Sequence, residues 1–336
     1  MWSNMNWNWG KPEMKTIDVT ALGELLIDFT DNGLSRQGNP LLEANPGGAP
    51  CNVLAMLTKL GRKTAFIGKV GRDLWGEMLK RAVEEVGIDT RGLLMDDETR
   101  TTLAFVLKKP DGDRDFAFYR NPGADMMLRA GEVREELIEQ ARIFHFGSLS
   151  MTHPMGQEAT REALRLAKKH GCLVSFDPNL REPLWSGLDA AREQIAYGLS
   201  QCDVLKISDN ELQWFTGKED FDEGIAALQA QYAIPLILLS KGRDGSSAYY
   251  NSLRVDAPPF LQEGTIETTG AGDTFCACAL NALLDHELGS LNESDLAEML
   301  RFANAAASLI TTRKGALRVM PAREEVEELI ASRSKP

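Results

Sequence analysis

From Ile17 onward the apolar positions follow two periods. Short, nearly continuous apolar runs such as TAFIGKV (64–70), ARIFHFG (141–147), CLVSF (172–176), CDVLKI (202–207) and IPLILLS (234–240) read as buried strands. Between them apolar residues return every three or four positions. In NVLAMLTKLG, Val53, Leu54, Leu57 and Leu60 share one helical face, and Gly61 stands as a C′ stop. DLWGEMLKRAVEEVG reads as a helix opened by Asp73 and closed by Gly87. Further helices are expected from Gln157, from Leu188, over about 273–287 and 293–312, and near 322–332. The first apolar run, IDVTALGELLIDF, reads as a single strand.

Strands alternating with helices predict an α/β fold, a mainly parallel sheet covered by helices on both faces. One stretch breaks the pattern. TTLAFVLKK and DFAFYR flank the turn signal PDGD, which predicts a hairpin. With the segment around 29–45, the 101–120 hairpin is expected to form a small β lid over one domain spanning 15–334. Residues 1–14 are rich in Trp and Asn and lack the basic and apolar regions of a secretory signal. They read as a leader outside the fold, with Met14 an alternative start.

Composition narrows the partners. The 336 residues carry a net charge of −12, which argues against a nucleic-acid or anionic-membrane surface. No apolar run approaches the roughly 20 residues needed to cross a bilayer. Five scattered Cys suggest no disulfide framework, so reduced thiols in a cytoplasmic protein are expected. Cys276 and Cys278 read as buried helix thiols rather than metal ligands, and His145 as a hydrogen-bonded core residue.

Candidate chemistry concentrates in ETTGAGDTF, residues 267–275. No Lys follows its last Gly, so it is not a Walker A loop, and Phe275 replaces the third Gly of a dinucleotide fingerprint. Gly270, Ala271 and Gly272 precede a helix, whose free N–H groups and dipole suit an anion. Asp273 follows in the first turn, where a carboxylate can accept a proton from an attacking hydroxyl. The same residues also suit a plain helix entry turn with a capping Asp, and this stretch alone does not separate the two. NPGGAPCN (45–52) offers Gly47, Gly48 and Asn52 to a polyol, or equally a tight turn and cap. Asp28 ends the first predicted strand, and FDPNLREPLW carries Asp177, Asn179 and Arg181 to the same sheet edge, where open α/β sheets bind ligands.

Residues 17–322 resemble the ribokinase-like (phosphofructokinase-B) family of carbohydrate kinases. The resemblance rests on GGAPCNVLAMLTKLGRKTAFIGKVGRD and TTGAGDTF, in that order and separation. FYRNPGADMML, FHFGSLS, FDPNLREPLW and KISDNELQWFTG make the chain most similar to fructokinases. The resemblance implies ATP and Mg²⁺ as cofactors and a sugar as substrate. It implies Asp273 as the base and the N–H groups of Gly270, Ala271 and Gly272 as an anion hole. It places Asp28, Gly47, Gly48, Asn52 and Asn179 at the sugar, with Phe105 and Phe118 closing over it. Ser240, Lys241, Gly242 and Gly245 would hold the nucleotide, and Asn304 would lie beside the adenine. Mg²⁺ would lie near Glu211, where the family's N-x-x-E begins here with Ser208. Glu267 replaces an Asp that in relatives helps hold a monovalent cation, so K⁺ activation is an open expectation. Arg120 and Arg181 match arginines that face the carboxylate in 2-keto-3-deoxygluconate kinases and keep that substrate, like a riboside, as an alternative. A non-catalytic sugar-binding protein and a nicotinamide dehydrogenase are alternatives of other classes. The first is disfavoured by the intact G-A-G-D, the second by the missing glycine fingerprint. A homodimer through the lid is expected, because a second copy would cover its open edges and apolar face.

Overall fold

The computed structural model describes residues 15–108 and 114–333, without the side chains of 107–116. The expected leader and the Pro110–Asp113 turn lie outside the described residues. In chain order the strands are β1 Ile17–Leu22, β2 Leu26–Leu34, β3 Pro40–Gly47, β4 Thr64–Gly71, β5 Asp89–Asp96, β6 Leu103–Lys108 and β7 Arg114–Tyr119. They continue as β8 Ala141–Gly147, β9 Leu173–Asp177, β10 Val204–Ser208, β11 Leu236–Ser240, β12 Ser246–Tyr250 and β13 Leu253–Ala257. The helices are α1 Ala49–Lys59, α2 Leu74–Glu85, α3 Glu135–Glu139, α4 Pro154–Lys169, α5 Leu188–Leu199, α6 Asp209–Thr216, α7 Phe221–Gln231, α8 Ala271–Asp285, α9 Glu293–Ile310 and α10 Arg323–Arg333.

Nine strands form one sheet in the order β13-β12-β11-β10-β9-β8-β1-β4-β5. It is parallel from β5 to β11, and only the β11-β12-β13 edge is antiparallel. Alternation along β11 shows why both faces are covered. Leu236 and Leu238 join a core with α1, α2, α8 and α9, whereas Ile237 and Leu239 join one with α3 to α7. The five cysteines are free and buried in these cores. His145 is buried too and hydrogen-bonded to Ser175 Oγ at 3.0 Å. Among the described residues no helix is long and apolar enough to cross a membrane.

A second sheet, β3-β2-β6-β7, stands apart. Its existence corrects the reading of 17–29 as one strand, because the run breaks after Leu22 and its halves enter different sheets. Gly23 makes the break: a Cβ there would lie 2.5 Å from Pro50 Cγ, so the chain slips past the start of α1 only without a side chain. Burial is continuous through the break, from Val19 to Ile27, because both sheets bury this stretch. On the small sheet Phe29 stacks on Phe105 at 4.8 Å and meets Trp75 of α2 edge-on at 5.1 Å. Where the chain re-enters this sheet before β6, Asp73 caps α2 through the N–H groups of Trp75 and Gly76. It also accepts from Thr101 N at 2.9 Å, which ties the junction to the large domain.

Candidate active site

Helix α8 begins at Gly270, whose φ of 77° lies in the left-handed region and whose missing side chain leaves the helix start uncapped. The Ala271 N–H turns back to Thr268 O at 3.2 Å, and the Thr274 N–H continues to Gly270 O at 2.8 Å. Among the described residues no acceptor engages the N–H groups of Gly272 and Asp273. Of the expected anion-hole donors, Ala271 is therefore already bonded and Gly272 is open. Asp273 is buried, and its Oδ2 accepts from Asn52 Nδ2 of α1 at 2.8 Å. Burial pushes its carboxyl up, opposed by that hydrogen bond and by Lys206 and Arg181. The other amide atom, Asn52 Oδ1, is buried without a partner.

Asp28 faces this group from β2. Burial pushes its carboxyl up to about 7, with Glu267 and Asp273 adding to the shift and Arg181 opposing it. Gly47 is needed beside it, since a Cβ there would lie 2.2 Å from Asp28 Oδ2. Gly48, at φ 132°, passes so close to the Glu24 carbonyl that a Cβ would stand 2.3 Å from its oxygen. Glu24 also accepts the first helical N–H of α1, from Ala49, at 2.8 Å, and burial pushes its carboxyl up to about 7. Sequence reasoning gave Glu24 no role; its one signal was a carboxylate inside an apolar run.

Asp177 ends β9 and pairs with Lys206 of β10 at 3.0 Å, both buried. Burial pushes Asp177 up to about 6 against the pull of Lys206. Lys206 too was missed, although it is the only charged residue within β10. Asn179 takes a left-handed φ of 47° just beyond, and Arg181 is exposed nearby. Glu211 closes a capping box with Ser208 and accepts the Leu180 N–H at 2.7 Å. Burial raises its carboxyl, but Lys206 and these N–H groups outweigh that and hold it below its ordinary value. Glu267 Oε1 accepts from Gly315 N at 2.6 Å.

The expected nucleotide residues form one wall. Ser240 ends β11, and Lys241 N donates to Gly245 O at 2.8 Å across a turn with left-handed Gly242 and Gly245. A Cβ on Gly245 would lie 2.2 Å from Ala257 O, and Asn304 donates to that same carbonyl and to Pro258 O at 3.0 Å.

Two expected sugar residues point elsewhere. Phe105 pairs with Phe29 and Ala117, whereas Asp28 pairs with Ala104, which in turn pairs with Phe118. Side chains alternate along a strand, so Phe118 shares the face of Asp28 and Phe105 lies on the opposite one. Arg120 is turned inward: Asp125 at 2.7 Å, Thr152 Oγ1 at 2.7 Å and Leu149 O at 3.1 Å hold its guanidinium. A buried carboxylate five residues on captures it before it can reach the cleft.

Comparison with known proteins fits this geometry. Residues 16–323 match the pfkB family carbohydrate kinases. The chain is 39% identical over 314 residues to fructokinase-1 of Zea mays, covering 93% of this chain and 97% of that protein. It resembles the ATP-bound fructokinase of Xylella fastidiosa with a TM-score of 0.87 and 31% identity, over 95% of this chain and 99% of that one. A double-mutant fructokinase of Vibrio cholerae O395, in a fructose-, ADP- and potassium-ion-bound form, superposes with a TM-score of 0.83 at 27% identity, over 94% and 99%. An uncapped helix start beside a buried carboxylate, within a match this complete, makes the chain a member of the pfkB family of carbohydrate kinases.

Proposed function

We propose that the chain is an ATP-dependent fructokinase, transferring the γ-phosphoryl of ATP to a primary hydroxyl of D-fructose to give fructose 6-phosphate. The observation that carries this reading is Asp273, buried in the first turn of an uncapped helix and oriented by Asn52. A sugar held by Asp28, Asn52 and Asn179 would present its hydroxyl to Asp273. That carboxylate accepts the proton as the oxygen attacks, while the Gly272 N–H receives charge on the transferring phosphoryl. The wall of Gly242, Gly245 and Asn304 would hold the nucleotide. The small sheet, carrying Asp28 and Phe118, would act as a lid that excludes water.

The residues fit a magnesium ion that arrives with the nucleotide. Glu211 is held ionised, and among the described residues no cluster of His, Cys, Asp or Glu forms an all-protein cage. Bound there, the ion would neutralise phosphate charge. Glu267 keeps the charge expected for a monovalent-cation site, but one of its oxygens is taken by Gly315. Partial rather than absolute K⁺ dependence follows. Exposed Leu34 and Tyr119, 70% and 68% accessible, support a homodimer through the small sheet. Sedimentation showing only monomer at micromolar concentration would remove that part of the proposal.

The keto-acid reading needs two arginines at the carboxylate, and Arg120 is committed to Asp125. The test is ADP release from Mg-ATP with fructose, ribose, 2-keto-3-deoxygluconate and a riboside side by side. Fructose should be turned over fastest, and Asp273→Ala should lower kcat about 10²–10⁴-fold with melting unchanged. Preferred turnover of the keto acid would sink the fructose assignment. An Asp273→Ala variant as fast as wild type would sink the base.

A further inference from the structure

Gly272 raises a question that backbone conformation does not answer. Unlike Gly270, it is absent from the glycines with left-handed φ, so its freedom is not what the turn requires. Space is what it supplies. A Cβ at Gly272 would lie 3.0 Å from Lys206 Nζ and 3.7 Å from Cε. In a helix the Cα–Cβ direction tilts toward the N-terminus, so the ammonium lies at the rim of α8 toward which the Gly272 N–H also points. A glycine here lets a cation stand directly against the start of the helix.

The charge balance points the same way. Lys206 is 7% exposed at its side chain and its partner Asp177 is 3% exposed. Removing such a pair from water can cost as much as its attraction returns, so stability is a weak reason to keep it. Asp177 is its one hydrogen-bond partner among the described residues, although an ammonium carries three donors. Glu211 and Asp273 also feel its field. Three carboxylates thus surround one buried cation, at the place where the proposed reaction must admit the phosphates of ATP. Helix amides alone would leave that phosphate facing Asp177, Glu211 and Asp273.

On the proposed kinase reading, we infer that Lys206 is a further catalytic residue, whose ammonium contacts the transferring phosphoryl beside the Gly272 N–H while Asp177 positions it. The lysine forms no bond. It balances charge on the phosphoryl oxygens as the bond to the leaving ADP oxygen breaks and the bond to the sugar oxygen forms, the proton passing to Asp273.

The test combines binding with turnover. Lys206→Met removes the charge at similar volume, Lys206→Arg restores a charge, and Lys206→Met with Asp177→Asn avoids leaving a buried carboxylate alone. Calorimetry with ATP, ADP and adenosine reads the lysine without any sugar. Steady-state assays then read kcat and KM. The expected result is kcat lowered about 10²–10³-fold in Lys206→Met and in the double variant, with partial recovery in Lys206→Arg. Affinity for ATP should fall while that for adenosine stays within twofold. If the single variant does not fold, the double variant decides. A double variant with kcat within threefold of wild type overturns the inference, as does an equal loss for adenosine and ATP. A wild-type protein that binds ATP but phosphorylates no sugar would instead overturn the kinase reading, and the chain-length dependence of binding would still judge Lys206.

Discussion

Two helices open from glycine loops at the site, and they are finished in opposite ways. At α1 the donor of Ala49 is occupied by the chain's own Glu24, reaching across from the link between the two sheets. At α8 no side chain caps the start, and the Gly272 N–H stays open. The sequences look alike, Gly-Gly-Ala-Pro in one and Gly-Ala-Gly-Asp in the other, and both are consistent with an anion cradle. A residue 25 positions before Ala49 takes up the first donor of one. That contact makes α1 a structural joint, whereas at α8 the first donors past Ala271 keep no partner among the described residues. Glycine serves both, but for different neighbours: the Glu24 carbonyl in the first and the Lys206 ammonium in the second.

Exchanging glycine for alanine at each start should separate the two roles. Gly272→Ala presses a methyl on the Lys206 ammonium and on any bound phosphoryl. It should cost about 10²-fold in kcat, the scale of losing one anion-hole donor, with little change in melting. Gly48→Ala meets the Glu24 carbonyl at a left-handed φ and should cost about 2–3 kcal/mol in stability, read by urea unfolding. A Gly272→Ala protein that unfolds easily yet keeps its kcat would abolish the contrast. A smaller effect concerns Asp28. With its carboxyl near 7 in the free protein, kcat/KM for the sugar should fall as pH drops through about 7. Asp28→Asn should lower kcat/KM and flatten that limb; an unchanged limb would assign it to another group.

Smallest is the effect of Glu24 itself. Its folded-state value, about 7, is raised above the ordinary 4.5, so the folded chain holds the proton more tightly. The contribution therefore favours folding at acid pH and is lost as pH rises from about 4.5 through about 7. Glu24→Gln keeps an acceptor for Ala49 and should shrink the pH dependence of Tm by about 2 °C. An identical Tm profile would show that Glu24 is not the titrating cap.

The alternation of strands and helices was legible because burial on both faces leaves long apolar runs separated by helical periods. Asn52 and Asp273 were visible as parts of two motifs, although nothing local said that they bond across 221 positions. What stayed hidden has physical causes. Strand β5 opens with three consecutive polar residues, Asp89, Thr90 and Arg91, at the sheet's edge, and β12 and β13 are short and partly polar, so none stood out. Helices α6 and α7 are short and carry one and three buried residues, too few to print a face. Phe105 and Phe118 look equivalent in sequence, and only the strand register assigns them to opposite faces. Arg120 looked free because its captor, Asp125, lies beyond a turn. Glu24 and Lys206 each interrupt an apolar run, the trace left by a buried charge held by distant partners.

The five sealed thiols give this molecule a clock. Burial pushes each thiol above its ordinary value, which suppresses the thiolate that alkylating reagents attack. Cys51 adjoins Asn52 in α1, while Cys276 and Cys278 lie on α8 behind Asp273, so the two helices that frame the chemistry carry their own reporters. The rate at which each cysteine is labelled under native conditions measures how often its neighbourhood opens. Comparing Cys51 and Cys276 with the remote Cys202 would show whether the catalytic cleft breathes by itself or only when the whole chain comes apart.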